Sequence, residues 1–161
     1  MTEHLTGPPS VRLLIVGAGP VTDALVPMAS ALGWAPTVAS SVSPEYDAVV
    51  VTSHDDGVDG PAIKAALTAE IEYVGAMGSR RTQARRRDWL LANGLTDADL
   101  EALHAPIGLD IGADEPGEIA VSILAEIVAV RRGAGVVGSV SARTGPIHPE
   151  LAEGEAYCPG G

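Results

Sequence analysis

The sequence predicts an α/β domain: a doubly wound, mostly parallel sheet in three layers, with a shortened crossover after the second strand. Three observations predict it. An apolar run over 11–16 bends through Gly17-Ala18-Gly19 into a helical pattern over 20–32. A strand that turns through glycines into a helix aims bare backbone N–H groups above the sheet, which suits a phosphate. Short apolar segments then alternate with helical ones, which demands parallel strands joined by right-handed crossovers. Finally, 46% of the chain is hydrophobic but only 3% is aromatic, with no Phe. The core is therefore Val, Ile, Leu and Ala, side chains suited to packed helix and sheet layers.

The elements follow in order. Residues 1–10, with Gly7, Pro8 and Pro9, read as a flexible lead-in. A strand covers 11–16. A helix over 20–32 is closed by Gly33 and carries Pro27, a source of kinking. A short strand spans 36–40. The segment 48–52 is apolar enough to lie centrally, covered on both faces. Asp59 is positioned to cap a helix over 60–69, and a fourth strand covers 71–74. Ser79 caps a helix that stops at Asn93-Gly94. A short helix over 97–103 has Thr96 as its cap, and a final helix over 116–131 opens with Pro116. Gly, Pro, Ser and Thr dominate from Gly133 onward. The organisation expected is thus a lead-in (1–10), one domain (11–132) and an irregular tail (133–161).

The connection over 41–47 is short. A helical crossover needs about a dozen residues. Seven extended residues reach at most about 25 Å, and a short strand is about 17 Å long. A bare return loop suffices, so the second crossover helix is expected to be missing.

Bulk properties exclude several classes. At 161 residues, folding buries roughly 70% of the unfolded surface without a disulfide or metal. A net charge of −11 argues against nucleic acid and anionic membrane surfaces. Cys158 is the single cysteine, so no internal disulfide forms. No apolar run reaches the roughly 18 residues of a membrane span, and 1–10 lacks a signal peptide's apolar core. A cytoplasmic protein is expected. His4, His54, His104 and His148 show no zinc-type spacing.

Ligands of parallel sheets bind beyond the carboxyl ends of the strands. Four segments converge there: Gly17-Ala18-Gly19-Pro20, Thr52-Ser53-His54-Asp55, the run from Gly75 through Gly78-Ser79-Arg80-Arg81, and 104–114, which holds Gly108 and Asp110. The glycine bends near 17 and 78 are expected to share one cleft that welcomes negative charge. Thr22 stands where a dinucleotide fingerprint has its third glycine, and no carboxylate follows the second strand until Glu45. Gly78-Ser79-Arg80-Arg81 is the better anion site, because a helix N-terminus and arginines both attract phosphate or carboxylate. Arg85, Arg86 and Arg87 read as a solvated basic face. Adjacent His54 and Asp55 point apart in a strand and read as loop-capping groups, and His104 as a loop histidine. Asp110 serves loop N–H groups or a ligand. Thr52 and Ser53 offer hydroxyl donors. Glu118, Ser122 and Glu126 form one stripe of the last helix, read as its solvated face or a contact between protomers. No catalytic residue or metal ligand is assigned.

The segment His104-Ala105-Pro106-Ile107-Gly108-Leu109-Asp110-Ile111-Gly112-Ala113, with the helix from Glu118 through Ile127, closely resembles the XdhC/CoxI family. These are accessory proteins of xanthine dehydrogenase and related molybdenum hydroxylases. The run from Tyr73 to Arg81, the Ser53-His54-Asp55 turn, the first glycine turn and Gly145-Pro146-Ile147-His148-Pro149 resemble it too. The resemblance implies a Rossmann-like C-terminal domain that binds molybdenum cofactor, protects it during sulfuration and delivers it. It implies a cysteine desulfurase and a molybdenum hydroxylase as partners. The chain departs from the family in lacking the N-terminal domain and its cysteine, so that either a separate polypeptide would supply that half or this is a domain specialised for docking, and in lacking an acidic end to strand two. The leading expectation is a non-catalytic maturation module that binds the cofactor's phosphate or a nucleotide and forms a homo-oligomer. The alternatives are an NAD(P)-dependent oxidoreductase using His54 or His104, and a dimerisation domain without ligand.

Overall fold

The computed structural model describes residues 11–135, 137–138 and 140–142. The chain forms β1 (Arg12–Val16), α1 (Pro20–Ala31), β2 (Ala35–Val38), β3 (Ala48–Val51), α2 (Asp56–Thr68), β4 (Tyr73–Ala76), α3 (Arg80–Ala92), α4 (Asp97–Leu100), β5 (Leu103–His104) and α5 (Pro116–Arg131). A 3₁₀ turn, Val140–Ala142, follows. The sheet order is β2-β1-β3-β4-β5, and every pairing is parallel. The order reverses at β1, the place where open α/β sheets leave a crevice.

Period-2 alternation divides the core. Leu13 and Ile15 of β1 face α1 and α5, against Leu25, Ala29, Ile123 and Ile127. Leu14 and Val16 face α2 and α3, against Ala62, Ile63, Ala66 and Leu90. Both faces of the central strands are covered, so β3 is buried at all four positions. Each fully buried Leu or Ile stabilises the fold by about 1.5–3 kcal/mol. Three layers result.

The crossover over 39–47 contains no helix. Val42 and Tyr46 reach from it onto the second core. Asp47 ties its end to β1: the carboxylate accepts from Arg12 N–H at 2.7 Å, and Asp47 N–H donates to Arg12 O at 2.9 Å. Two side chains and one carboxylate thus close the space that a crossover helix would fill.

Several boundaries differ from expectation, and one strand is new. β2 covers Ala35–Val38 and not 36–40. α2 begins at Asp56, and its cap is Asp55, whose carboxylate accepts from Gly57 N–H. Asp59 lies inside the helix and is buried. β4 starts two residues late, because the chain leaves α2 through Glu70 at φ 54 before Ile71 can pair. α4 stops at Leu100, and Leu103–His104 form a fifth strand beside Val74 and Gly75. Two residues are too few to display alternation. The lead-in, His4, the segment 145–149 with His148, and Cys158 lie outside the described residues, as does most of the expected tail. Among the described residues no helix is long and apolar enough to cross a membrane.

Candidate functional site

The first glycine bend is stitched from beneath. Gly17 has φ 134, and a Cβ there would lie 2.4 Å from both Thr52 Oγ1 and Ser53 N. Only glycine lets the bend press onto the end of β3. Thr22, 5% exposed, donates to Gly17 O at 3.1 Å and shares a 2.8 Å hydrogen bond with Thr52 Oγ1. The residue in place of a third glycine thus knits helix, turn and strand together. Gly19 caps α1 without a side-chain bond, with Ala18 and Pro20 exposed beside it. In the next loop Ser53 Oγ accepts from Asp55 N–H, and His54 is exposed.

The second bend is built differently. Gly78, at φ 135, passes close over Thr82, Gln83 and Arg86. Ser79 Oγ accepts from Thr82 N–H at 3.2 Å, so that hydroxyl caps α3. Arg80 and Arg81 follow on the first turn, both exposed. Among the described residues neither lies in an ion pair. Cations here oppose the helix macrodipole by about 0.3–1 kcal/mol each. An anion bound at this end relieves that repulsion and satisfies the free N–H groups together.

Arg80 stands on the rim of a cavity of about 430 Å³ lined by Met77, Gly78, residues 106–113, Ile119 and Ser122. Gly108 and Asp110 are part of this lining. Gly17, Ala18, Gly19, Pro20, Thr52, Ser53 and His54 are not, so this cavity takes in the second bend and not the first. Arg80 also borders a smaller cavity of about 240 Å³ with Arg87, Leu100 and Leu103.

The first half of the loop over 105–113 is held by two backbone bonds to other elements. Ile107 N–H donates to Ala76 O at 3.1 Å, and Leu109 N–H to Ser122 O at 3.2 Å. Gly75 leaves room for Ile107, whose Cδ1 lies 2.6 Å from where a Cβ would stand. Gly108, at φ 101, likewise lies against Ser122. Glu126 Oε1 gathers the rest: it accepts from Gly108 N–H at 3.2 Å and from Tyr73 OH at 2.6 Å. His104 Nδ1 lies 3.4 Å from the same oxygen, and its ring stacks on Tyr73. Burial first, then the hydrogen bond to Glu126 and its charge, push the Tyr73 phenol far above its ordinary value.

Two expectations are corrected here. The polar stripe of α5 does not face solvent. Ser122 is buried at 4% exposed and Glu126 turns inward; only Glu118 is exposed. Asp114 and Glu115 donate backbone N–H groups to Glu118, which lowers its carboxyl below the usual range. Helical period reveals a stripe but not which neighbour it meets, and here the neighbours are loop N–H donors. Nor is the basic run wholly solvated. Arg85 and Arg87 are exposed and pair with Asp56 and Asp97. Arg86 is 3% exposed and pairs with Asp59. Asp59, Arg86, Tyr73 and Glu126 were absent from the expected site. The one available sign was ionisable or aromatic residues at positions where a core-facing side chain was due. Among the described residues no group of three metal-binding side chains occurs.

The model of the XdhC Rossmann domain matches residues 13–127. The chain belongs to this family. The match takes in both glycine bends, the 105–113 loop and Glu126. The domain is 32% identical over 130 residues to the molybdenum cofactor insertion chaperone PaoD of Escherichia coli strain K12, covering 76% of this chain and 41% of PaoD. It is 31% identical over 157 residues to a probable xanthine dehydrogenase component of Bacillus subtilis strain 168, covering 80% and 46%. A solved xanthine dehydrogenase from Bacillus halodurans superposes with a TM-score of 0.63 at 27% identity, covering 82% and 46%. The chain therefore spans less than half the length of each of these relatives.

Proposed function

We propose that this XdhC domain is an accessory module in maturing a molybdenum hydroxylase, and that it holds an anionic cofactor ligand in the cleft beside β4 and β5. The observation that carries this reading is Arg80, outside any ion pair among the described residues, at the N-terminus of α3 and on the rim of the 430 Å³ cavity. The names of the relatives support the hydroxylase connection. The cleft fits a phosphate-bearing cofactor: Gly78 and Gly108 lie in its wall, Arg80 supplies a cation at its rim, and Arg81 follows on the same turn of α3. These residues would hold the phosphate of molybdenum cofactor, or a nucleotide. The cofactor supplies the redox metal to its target enzyme; this chain binds and shields. An NAD(P) oxidoreductase is less well supported, because Thr22 and the absence of an acid after β2 leave the adenosine half unmarked. The partners in this reading are the hydroxylase, a cysteine desulfurase and a second copy of this chain, all in the cytoplasm.

The test is co-expression of the apo-hydroxylase with wild type or an Arg80→Ala/Arg81→Ala variant. Losing charge-assisted contacts to one phosphate lowers hydroxylase maturation about tenfold, with the melting temperature unchanged. Equal maturation by both forms refutes the reading. A parallel titration that responds to NADH or NADPH and not to pterin cofactor or phosphate replaces it with the oxidoreductase.

A further inference from the structure

Arg86 and Asp59 form a buried ion pair between α3 and α2, at 3% and 0% exposure. The guanidinium contacts more than its partner. Nη2 donates to Asp59 Oδ2 and to Ser53 O at 3.2 Å. Nη1 donates to Met77 O and to Gln83 Oε1 at 3.3 Å. Gln83 in turn donates to Ala76 O and Gly78 O. Asp59 Oδ1 and Arg86 Nε, both buried, have no hydrogen-bond partner.

Such a pair is a poor source of stability. Desolvating two charges offsets most of their attraction, the more so when one atom of each stays unsatisfied. Its geometry has a different consequence. Ser53 O belongs to the loop after β3, and Met77 O to the loop after β4. One planar fork therefore holds both loops by their carbonyls, and Gly78 packs against the same Nη1.

We propose that Arg86 is a positioning residue: it fixes the loop after β3 and the loop after β4 as one unit, and so sets where Gly78 and Arg80 present themselves to an anion. Asp59 holds the guanidinium in that orientation. The effect on anion binding rests on the function proposed above; the coupling of the loops does not.

The test uses the full chain and an Asp59→Leu/Arg86→Met variant, since well-packed apolar replacements of a buried pair preserve stability or raise it. Two readouts are taken: amide hydrogen exchange, and binding of inorganic phosphate followed by NMR shifts of the residue 78–81 amides. The variant is expected to fold and to melt near or modestly below wild type, because losing the buried pair is close to neutral while Arg86→Met leaves the Ser53 and Met77 carbonyls without this donor. Exchange should quicken about tenfold in 53–55 and 77–79 together, with α5 unaffected, as local opening grows easier. Phosphate should bind about tenfold more weakly, as misplacement of a binding group predicts. Wild-type exchange in both loops, or loosening of one alone, overturns the proposal. Should that variant not fold, Arg86→Lys serves: it keeps a cation by Asp59 but offers one nitrogen where the fork uses two. At least one loop should then exchange faster, and wild-type exchange in both overturns the proposal. If phosphate fails to bind wild type, the cleft reading falls, while exchange still judges Arg86.

Discussion

The two glycine bends of this chain share a grammar and differ in what surrounds them. Each follows a buried strand, carries a glycine at φ near 130° and opens a helix: Gly17 before α1, Gly78 before α3. Around the first, neutral hydroxyls close the gap, Thr22 with Thr52. Around the second, ionisable groups dominate: Arg86 beneath, Arg80 and Arg81 above, and Glu126 bonded to Gly108 of the cavity wall. The first bend is bound into the fold by short hydrogen bonds between helix, turn and strand. The second stands beside open space, with two cations that lie in no ion pair among the described residues. Glycine at a strand end is thus no guide to ligand binding; the neighbours decide.

Three substitutions sharpen or break this contrast, in falling order of effect. Gly17→Ala places a methyl 2.4 Å from Thr52 Oγ1 and Ser53 N at a left-handed φ, so it should destabilise by about 3 kcal/mol or more. Gly19→Ala, at φ 129 and ψ −173, occupies backbone that glycine alone adopts readily but meets nothing within 4 Å, and should cost about 1–3 kcal/mol. Urea unfolding measures both, and equal losses would show that the first bend is not tightly packed. Thr22→Val keeps the shape but deletes the hydroxyl. It should cost about 1–2 kcal/mol, and by the same amount at pH 7 and pH 10.5, since no ionisable group is involved.

The smallest effect concerns Tyr73 and separates the two bends by pH. Its folded pKa is raised, so its contribution is complete below the unfolded value of 10.0 and is lost as pH rises above that. The unfolded chain releases the phenolic proton there while the native state retains it. Between pH 9 and pH 11 wild type should lose about 1 kcal/mol more than Tyr73→Phe. Denaturant melts at the two pH values decide it, and parallel losses would mean that the phenol is not held against Glu126.

Much of the fold was legible because it follows from local rules. The glycine after an apolar run, the aliphatic composition and the seven-residue connection over 41–47 predicted parallel strands, three layers and a missing crossover helix. Ser79, Thr96 and Pro116 mark helix starts through chemistry confined to one turn. Asp59 misled for the same reason: it has a capping side chain, but its partner, Arg86, lies on another helix. The stripe on α5 was visible as a pattern, and its direction was not.

By itself, then, the sequence determined helices α1 to α5 and strands β1 to β4, though not β5, and that glycines and arginines gather at the carboxyl ends of the sheet. Period and capping act over a few residues, and a linear reading can follow them. Only the tertiary structure decided which arginine is buried, which glycine bend is sewn shut, and that Glu126 holds the 105–113 loop from a helix. Those outcomes depend on contacts between residues 18 to 53 positions apart, as from Glu126 to Gly108 and to Tyr73. Burial of charge is settled by such long-range partners and not by the residue's own neighbours in the chain.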